Sequence, residues 1–90
     1  MARYRGVELR HLRYFATIAE QESFTRAAER LRVSQPALSR QMRDLEDELG
    51  RRLFEREPDG VRLTPAGRRF LKGAIRVLAA SDRSEEHTSE

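Results

Sequence analysis

Cysteine is absent from the 90 residues, and lysine occurs once, at Lys72. Without cysteine the chain forms neither a disulfide nor a thiolate metal site, and a reducing cytoplasm is the compartment that fits. No stretch approaches the ~18 apolar residues of a membrane span, and no signal-peptide pattern precedes the first helix, so no membrane partner is expected. Histidine is confined to His11 and His87, without metal-ligand spacing, and no glycine-rich phosphate loop is present. No metal, no cofactor and no catalysis are therefore expected from this stretch. A chain of this length holds one small core and no second one.

What is abundant is charge. Charged residues make up 37% of the chain against 38% hydrophobic, and 18 basic side chains stand against 15 acidic ones, a net charge of +3. The run Arg83 to Glu90 has no apolar residue and reads as the translation of a common sequencing-library adapter. Residues 83–90 are expected to be a non-native polar tail, with the natural frame continuing past Asp82. Without them 17 basic residues face 12 acidic ones, a net charge of +5.

The middle of the chain carries the pattern with most content. Phe24, Ala27, Ala28 and Leu31 recur at i, i+3, i+4, i+7, one apolar stripe of an α-helix, and Ser23 stands ready to cap it. Arg32 and Val33 leave room only for a sharp turn. Ser34 then caps a new helix whose first turn holds Pro36, where a missing N–H costs nothing. In that helix Leu38, Met42, Leu45 and Leu49 face a core. Pro36, Arg40 and Arg43 project opposite to them, with Ser39 on the flank and Gln35 at the start. The N-terminal half is thus polar and basic, while Asp44, Glu46, Asp47 and Glu48 make the C-terminal half acidic. A helix entering the DNA major groove by its N-terminal end needs this division, with donors near bases and phosphates and carboxylates held away. First-turn N–H groups favour phosphate. Gln matches adenine and Arg matches guanine in bidentate fashion, so Gln35 and Arg40 are the candidate base readers.

Around this unit the sequence predicts a first helix from about Glu8 to Gln21, with Leu9, Leu12, Phe15, Ala16 and Ala19 on its core face. The N-terminus is basic through Arg3, Arg5, Arg10 and Arg13. Gly50 suits a left-handed cap that stops the third helix. Two strand-like runs, Leu53 to Arg56 and Val61 to Leu63, flank Glu57-Pro58-Asp59-Gly60, a turn signal that predicts a β-hairpin. Thr64 caps a fourth helix with Pro65 at its first position. Its apolar stripe is Phe70, Leu71, Ala74, Val77 and Leu78, and Gly67 and Gly73 weaken it in isolation.

The stretch AAERLRVSQPALSRQMRDLEDELGRRLFER, followed by LTPAGRRF, resembles the N-terminal winged helix-turn-helix domain of LysR-type transcriptional regulators, from about Val7 to about Ala80. The resemblance implies a mainly α fold: a three-helix core, a short β-hairpin wing and a C-terminal linker helix. Residues 7–64 would be the DNA-binding domain, with the helix-turn-helix itself from Phe24 to Arg43, and residues 65–82 the linker and dimerisation helix. It also implies double-stranded DNA as partner, read by a homodimer on an interrupted inverted repeat, with a tetramer possible in a full-length protein. A small-molecule effector is expected for a C-terminal domain outside this stretch.

Under this reading Gln35, Pro36 and Arg40 contact bases, while Ser34, Ser39, Thr25, Arg26, Arg43, Arg56 and Arg62 contact the DNA backbone. Ser34 and Ser39 also admit a plainer role as cap and surface hydroxyls, and Arg51 and Arg52 as solvated charges. Leu71, Ala74, Val77 and Leu78 are assigned to the dimer and Phe70 to the domain core. One departure stands out: Glu57 and Asp59 flank Pro58 at the wing tip, where the family commonly has basic or small residues. Carboxylates facing phosphate disfavour insertion of this tip into the minor groove. The competing function is a winged-helix module that binds protein through the acidic end of the third helix, and another winged-helix repressor family is a third reading.

Overall fold

A computed structural model of the chain describes residues 7–88, with side chains through Asp82. Arg3, Arg5 and the side chains of the 83–90 tail lie outside the described residues. The elements are α1 (Leu9–Gln21), α2 (Phe24–Leu31), α3 (Gln35–Leu49), β1 (Phe54–Glu57), β2 (Gly60–Leu63) and α4 (Pro65–Thr88).

Local hydrogen bonding sets most of these boundaries. Ser23 Oγ accepts the Arg26 N–H at 3.1 Å, Ser34 Oγ that of Ala37 at 3.2 Å, and Thr64 Oγ1 that of Gly67 at 2.9 Å. Each satisfies one donor that a helix start leaves open. Helix α1 uses a capping box instead, in which the Glu8 N–H donates to His11 Nδ1 at 2.9 Å. At the other ends, Glu22, Arg32 and Gly50 adopt left-handed conformations, with φ of 56°, 61° and 68°. Arg32 is the sharp turn between α2 and α3, and its N–H returns to Glu29 O at 3.2 Å. Helix α4 runs on to Thr88, past its expected end at Asp82.

The strands pair antiparallel with Phe54 opposite Leu63 and Glu57 opposite Gly60, leaving Pro58 and Asp59 as the turn. The hairpin is anchored to the end of α1, because the Val61 N–H donates to Glu22 O at 3.3 Å. Gly60 lies against the same carbonyl with φ of 150°, and a Cβ there would come within 2.5 Å of it. The wing's own turn residue is therefore also its point of attachment.

The core gathers Phe15 and Ile18 from α1, Ala27 and Ala28 from α2, Leu38, Met42 and Leu45 from α3, and Leu53, Phe54 and Val61 from the wing. Two assignments on α1 are corrected. Leu9 is 40% exposed, while Ile18, absent from the expected stripe, is fully buried. Leu9 opens the helix and projects beyond the packed layer; Ile18 follows Phe15 at i+3 and shares its face. On α4, Phe70 reaches the core as expected. Ala74, also assigned to the dimer, is 3% exposed and covered by its own domain. It lies four residues after Phe70, so it follows that ring onto the face of α4 turned to the domain.

The two glycines of α4 differ. A Cβ on Gly67 would fall 2.2 Å from Leu53 O, whereas one on Gly73 meets nothing within 4 Å. Gly67→Ala is expected to lose roughly 1–3 kcal/mol through overpacking against backbone, and Gly73→Ala to gain up to about 1 kcal/mol of helix propensity. Denaturant unfolding of both variants is the check. The same sign for both would contradict the close approach of α4 to Leu53.

Candidate nucleic-acid interface

Helix α3 is held on one side and free on the other. Leu38, Met42 and Leu45 are buried, whereas Pro36, Arg40 and Arg43 on the opposite face are exposed. Between α3 and the wing runs an open groove of about 1020 Å³. Gln35, Pro36, Ser39, Arg40 and Arg43 line it from the helix, and Arg51, Arg52 and Arg56 from the segment leading into and along β1. Ser34 is exposed beside it, and Thr25 and Arg26 are exposed in the first turn of α2.

Glu46 explains how the acidic half of α3 coexists with this basic groove. Its carboxylate accepts the Leu53 N–H at 2.7 Å and the Phe54 N–H at 3.2 Å. A charge that sequence reading gave simply as part of the acidic C-terminal half of α3 thus holds the start of β1 against that helix, a pair of bonds strengthened by the acceptor's charge. Seven residues separate acceptor from donor, so no helical or turn pattern signals it. The N-terminus of α3 is also more committed than expected. Pro36 has no N–H, Ala37 donates to Ser34 Oγ and Leu38 to Ser34 O, which leaves the Gln35 N–H as the first-turn donor for an anion.

Ser39 is 9% exposed, and its hydroxyl is engaged from two sides. Gln35 Nε2 donates to it at 2.9 Å, and Arg56 Nη2 from the wing at 3.2 Å. The Arg56 guanidinium lies 4.2 Å from the centroid of the Phe24 ring. Sequence reasoning placed Ser39 and Arg56 side by side as backbone contacts; the fold brings them together and bonds them to each other. Arg62, on the other arm of the wing, meets Glu57 at 3.3 Å. That pair is exposed, so it contributes little to stability, yet it offsets Arg62 with a carboxylate on the same hairpin. Pro58 and Asp59 are exposed at the tip. Leu71 packs against the core, Leu78 is half-buried, and Ile75 and Val77 are 53% and 46% exposed. Ile75 was not on the expected stripe. Among the described residues no group of His, Asp and Glu is arranged to hold a metal ion, and no helix is long and apolar enough to cross a membrane.

Comparison with known proteins places this geometry. The family described as bacterial regulatory helix-turn-helix protein, lysR family, matches residues 9–68. The transcriptional regulator BenM of Acinetobacter baylyi is 50% identical over 76 residues, covering 84% of this chain and 25% of BenM. BudR of Klebsiella aerogenes is 50% identical over 80 residues, covering 89% of this chain and 56% of BudR. Among solved structures, the BenM DNA-binding domain on its catB site 1 DNA superposes with a TM-score of 0.88 at 47% identity, covering 92% of this chain and 93% of that one. The CbnR DNA-binding domain in its DNA complex gives 0.86 at 44% identity, covering 92% and 95%. The chain spans a quarter to about half of the length of these curated relatives.

The wing tip generates a direct test. With Asp59 exposed at the turn and Glu57 held by Arg62, Asp59→Arg should strengthen DNA binding and steepen its salt dependence by less than one phosphate contact, because the tip is screened. Unchanged affinity at low salt would mean that the tip stays clear of the duplex.

Proposed function

The chain belongs to the LysR family of bacterial regulatory helix-turn-helix proteins, and we propose that it is the sequence-specific DNA-binding part of a cytoplasmic transcription regulator acting without catalysis. Phosphate contacts set register on the duplex, and the N-terminal half of α3 reads bases in the major groove. The observation that carries this reading is the exposed face of Pro36, Arg40 and Arg43, with half-buried Gln35 at its start, on a helix whose opposite face is fixed in the core. Exposed Thr25, Arg26 and Ser34 supply backbone contacts at the end where α2 meets the strand. A small-molecule effector would act on the part of such regulators that this chain does not span.

The protein-binding alternative draws less support. It relies on the acidic end of α3, and Glu46 of that end is already bonded to the Leu53 and Phe54 N–H groups. Salt separates the two readings, since each neutralised phosphate releases counterions and lowers affinity as salt rises.

The base readers are tested by selection from randomised duplexes. Arg40→Ala should lose roughly 1–3 kcal/mol of discrimination at one base position, and Gln35→Ala should relax a different one. If neither substitution alters base preference, α3 is not the reader.

Dimerisation follows from α4. With Ala74 covered and Leu71 packed inward, the surface for a second copy narrows to Val77 and Leu78, and Ile75 shares the Leu78 side of the helix three residues away. A two-fold pair would carry two reading helices to half-sites about one or more DNA turns apart. The fragment should dimerise with concentration, and Val77→Asp should abolish this without unfolding the domain, because that position is exposed. Affinity for a full operator should then fall towards that of a half-site. Sedimentation, free and on DNA, is the measurement; a wild-type monomer that occupies single half-sites at high concentration would exclude α4 as a sufficient dimer element.

A further inference from the structure

We infer that Arg56 is a positioning residue for base reading: through Ser39 it holds the Gln35 carboxamide in place, and it is not primarily a phosphate contact. The inference rests on the reading of α3 given above and assigns one of its specificity elements to the wing. Arg56 lies on β1, opposite Val61 in the hairpin, and its guanidinium is stacked on Phe24 of α2 at 4.2 Å. From there Nη2 donates to Ser39 Oγ at 3.2 Å, and the same oxygen accepts Gln35 Nε2 at 2.9 Å. Helix α3 and strand β1 thus meet at one hydroxyl, with the Phe24 ring of α2 against the guanidinium.

The chemistry of the amide gives this chain of contacts its purpose. A serine hydroxyl has two acceptor lone pairs, and both are taken by Gln35 and Arg56. A glutamine that pairs with adenine uses its carbonyl oxygen and one Nε2 hydrogen. The other Nε2 hydrogen is the one available to Ser39, so the bond inside the protein and the bidentate edge towards a base are compatible. With Arg56 in place, Ser39 Oγ is held as an acceptor facing Gln35. Without it, the hydroxyl is free to turn and back-bond to the carbonyl four residues earlier, the common habit of a mid-helix serine. Gln35 would then have to be ordered by DNA alone. The guanidinium suits this task by being planar, which lets it stack and donate at once; an ammonium carries the same charge without the plane or the fork.

The test uses the whole chain on duplexes randomised across a half-site, with base preference and salt slope measured for wild type, Gln35→Ala, Arg40→Ala, Arg56→Met and Arg56→Lys. Methionine keeps an apolar stem over Phe24 and removes the donor; lysine keeps the charge. Both Arg56 variants should lose roughly 2- to 12-fold discrimination at the base that Gln35→Ala relaxes, the cost of ordering one long side chain. The position relaxed by Arg40→Ala should be untouched, and Gln35→Ala combined with Arg56→Met should lose nothing more than Gln35→Ala alone. A uniform loss across all sequences, restored by lysine and accompanied in Arg56→Met by a fall of about 0.9 in salt slope, would identify a phosphate contact and overturn the proposal. Should Arg56→Met unfold, Ser39→Ala tests the same link from the helix side: relaxation at the Gln35 base supports it, and unchanged preference overturns it. If Gln35→Ala relaxes no position, the reading by Gln35 fails and the clamp with it. A preference lost in Gln35→Ala but kept in both Arg56 variants overturns the clamp alone.

Discussion

All four phenylalanines of the chain form one connected string, and the arrangement of the helices depends on it. Phe24 meets Phe54 at 5.3 Å between ring centroids, Phe54 meets Phe15 at 5.1 Å, and Phe15 meets Phe70 at 5.1 Å in an edge-on contact. The rings come from α2, β1, α1 and α4 in that order, so one aromatic path joins elements far apart in sequence. Tilted and edge-on pairs of this kind contribute about 0.5–1.5 kcal/mol each beyond the area they bury. For a domain with only 38% hydrophobic residues, such use of a few large rings is what makes one small core sufficient. Helix α3 is not in the string; it is seated on the same core by Leu38, Met42 and Leu45 and tied to β1 by Glu46.

Charge is divided by the same framework. Several arginines have internal or neighbouring partners: Arg56 with Ser39 and Phe24, Arg62 with Glu57, Arg13 with Asp82, Arg10 with Glu8. Arg26, Arg40 and Arg43 are exposed on the face that α2 and α3 present together. The net charge of +3 therefore understates how the field is arranged. Of the carboxylates near the groove, Glu46 is withdrawn into bonds and Glu57 is carried on the wing beside Arg62, while Asp47 stays exposed at the acidic end of α3. What matters for a polyanionic partner is this local imbalance.

Features governed by short-range rules were legible in the sequence. Ser23, Ser34 and Thr64 as caps, Gly50 as a left-handed stop and Pro58-Asp59-Gly60 as a hairpin turn all follow from contacts a few residues apart. The stripes of α2 and α3 followed from periodicity. What was not legible depends on which surface an element meets. Leu9 and Ile18 are both apolar on α1, and only tertiary packing decides that Ile18 is buried while Leu9 is left 40% exposed. Ala74 looked available for a partner until Phe70 drew its face onto the domain. Arg56 and Ser39, 17 positions apart, were each read as a separate contact to the DNA backbone, and only the approach of β1 to α3 pairs them. Glu46 is the same case: a charge on a helix end acquires its partner from the turn that follows.

The aromatic string has a mechanical consequence as well as an energetic one. Its two ends lie at Arg56 over Phe24, beside the reading helix, and at Phe70, near the start of α4. From Pro65 to Asp82 the helix extends roughly 26 Å at 1.5 Å per residue. A tilt of about 10° at the Phe15–Phe70 joint, roughly 18 Å from Asp82 along the helix, would move that end by roughly 3 Å, close to the 3.4 Å step between base pairs. In any dimer built on α4, the spacing of two reading helices is thus only as well defined as this joint. Phe70 locks one point through ring contact, Gly67 lets the first turn sit against Leu53 O, and Arg13 reaches Asp82 at 3.1 Å near the far end. Three fixings along one helix resist both tilt and rotation. The ion pair is exposed and weak on its own, but at the end of a long lever a small restoring energy opposes a large displacement. In such a dimer, half-site spacing would therefore depend on Phe15, Gly67 and Phe70, which hold α4 to the domain.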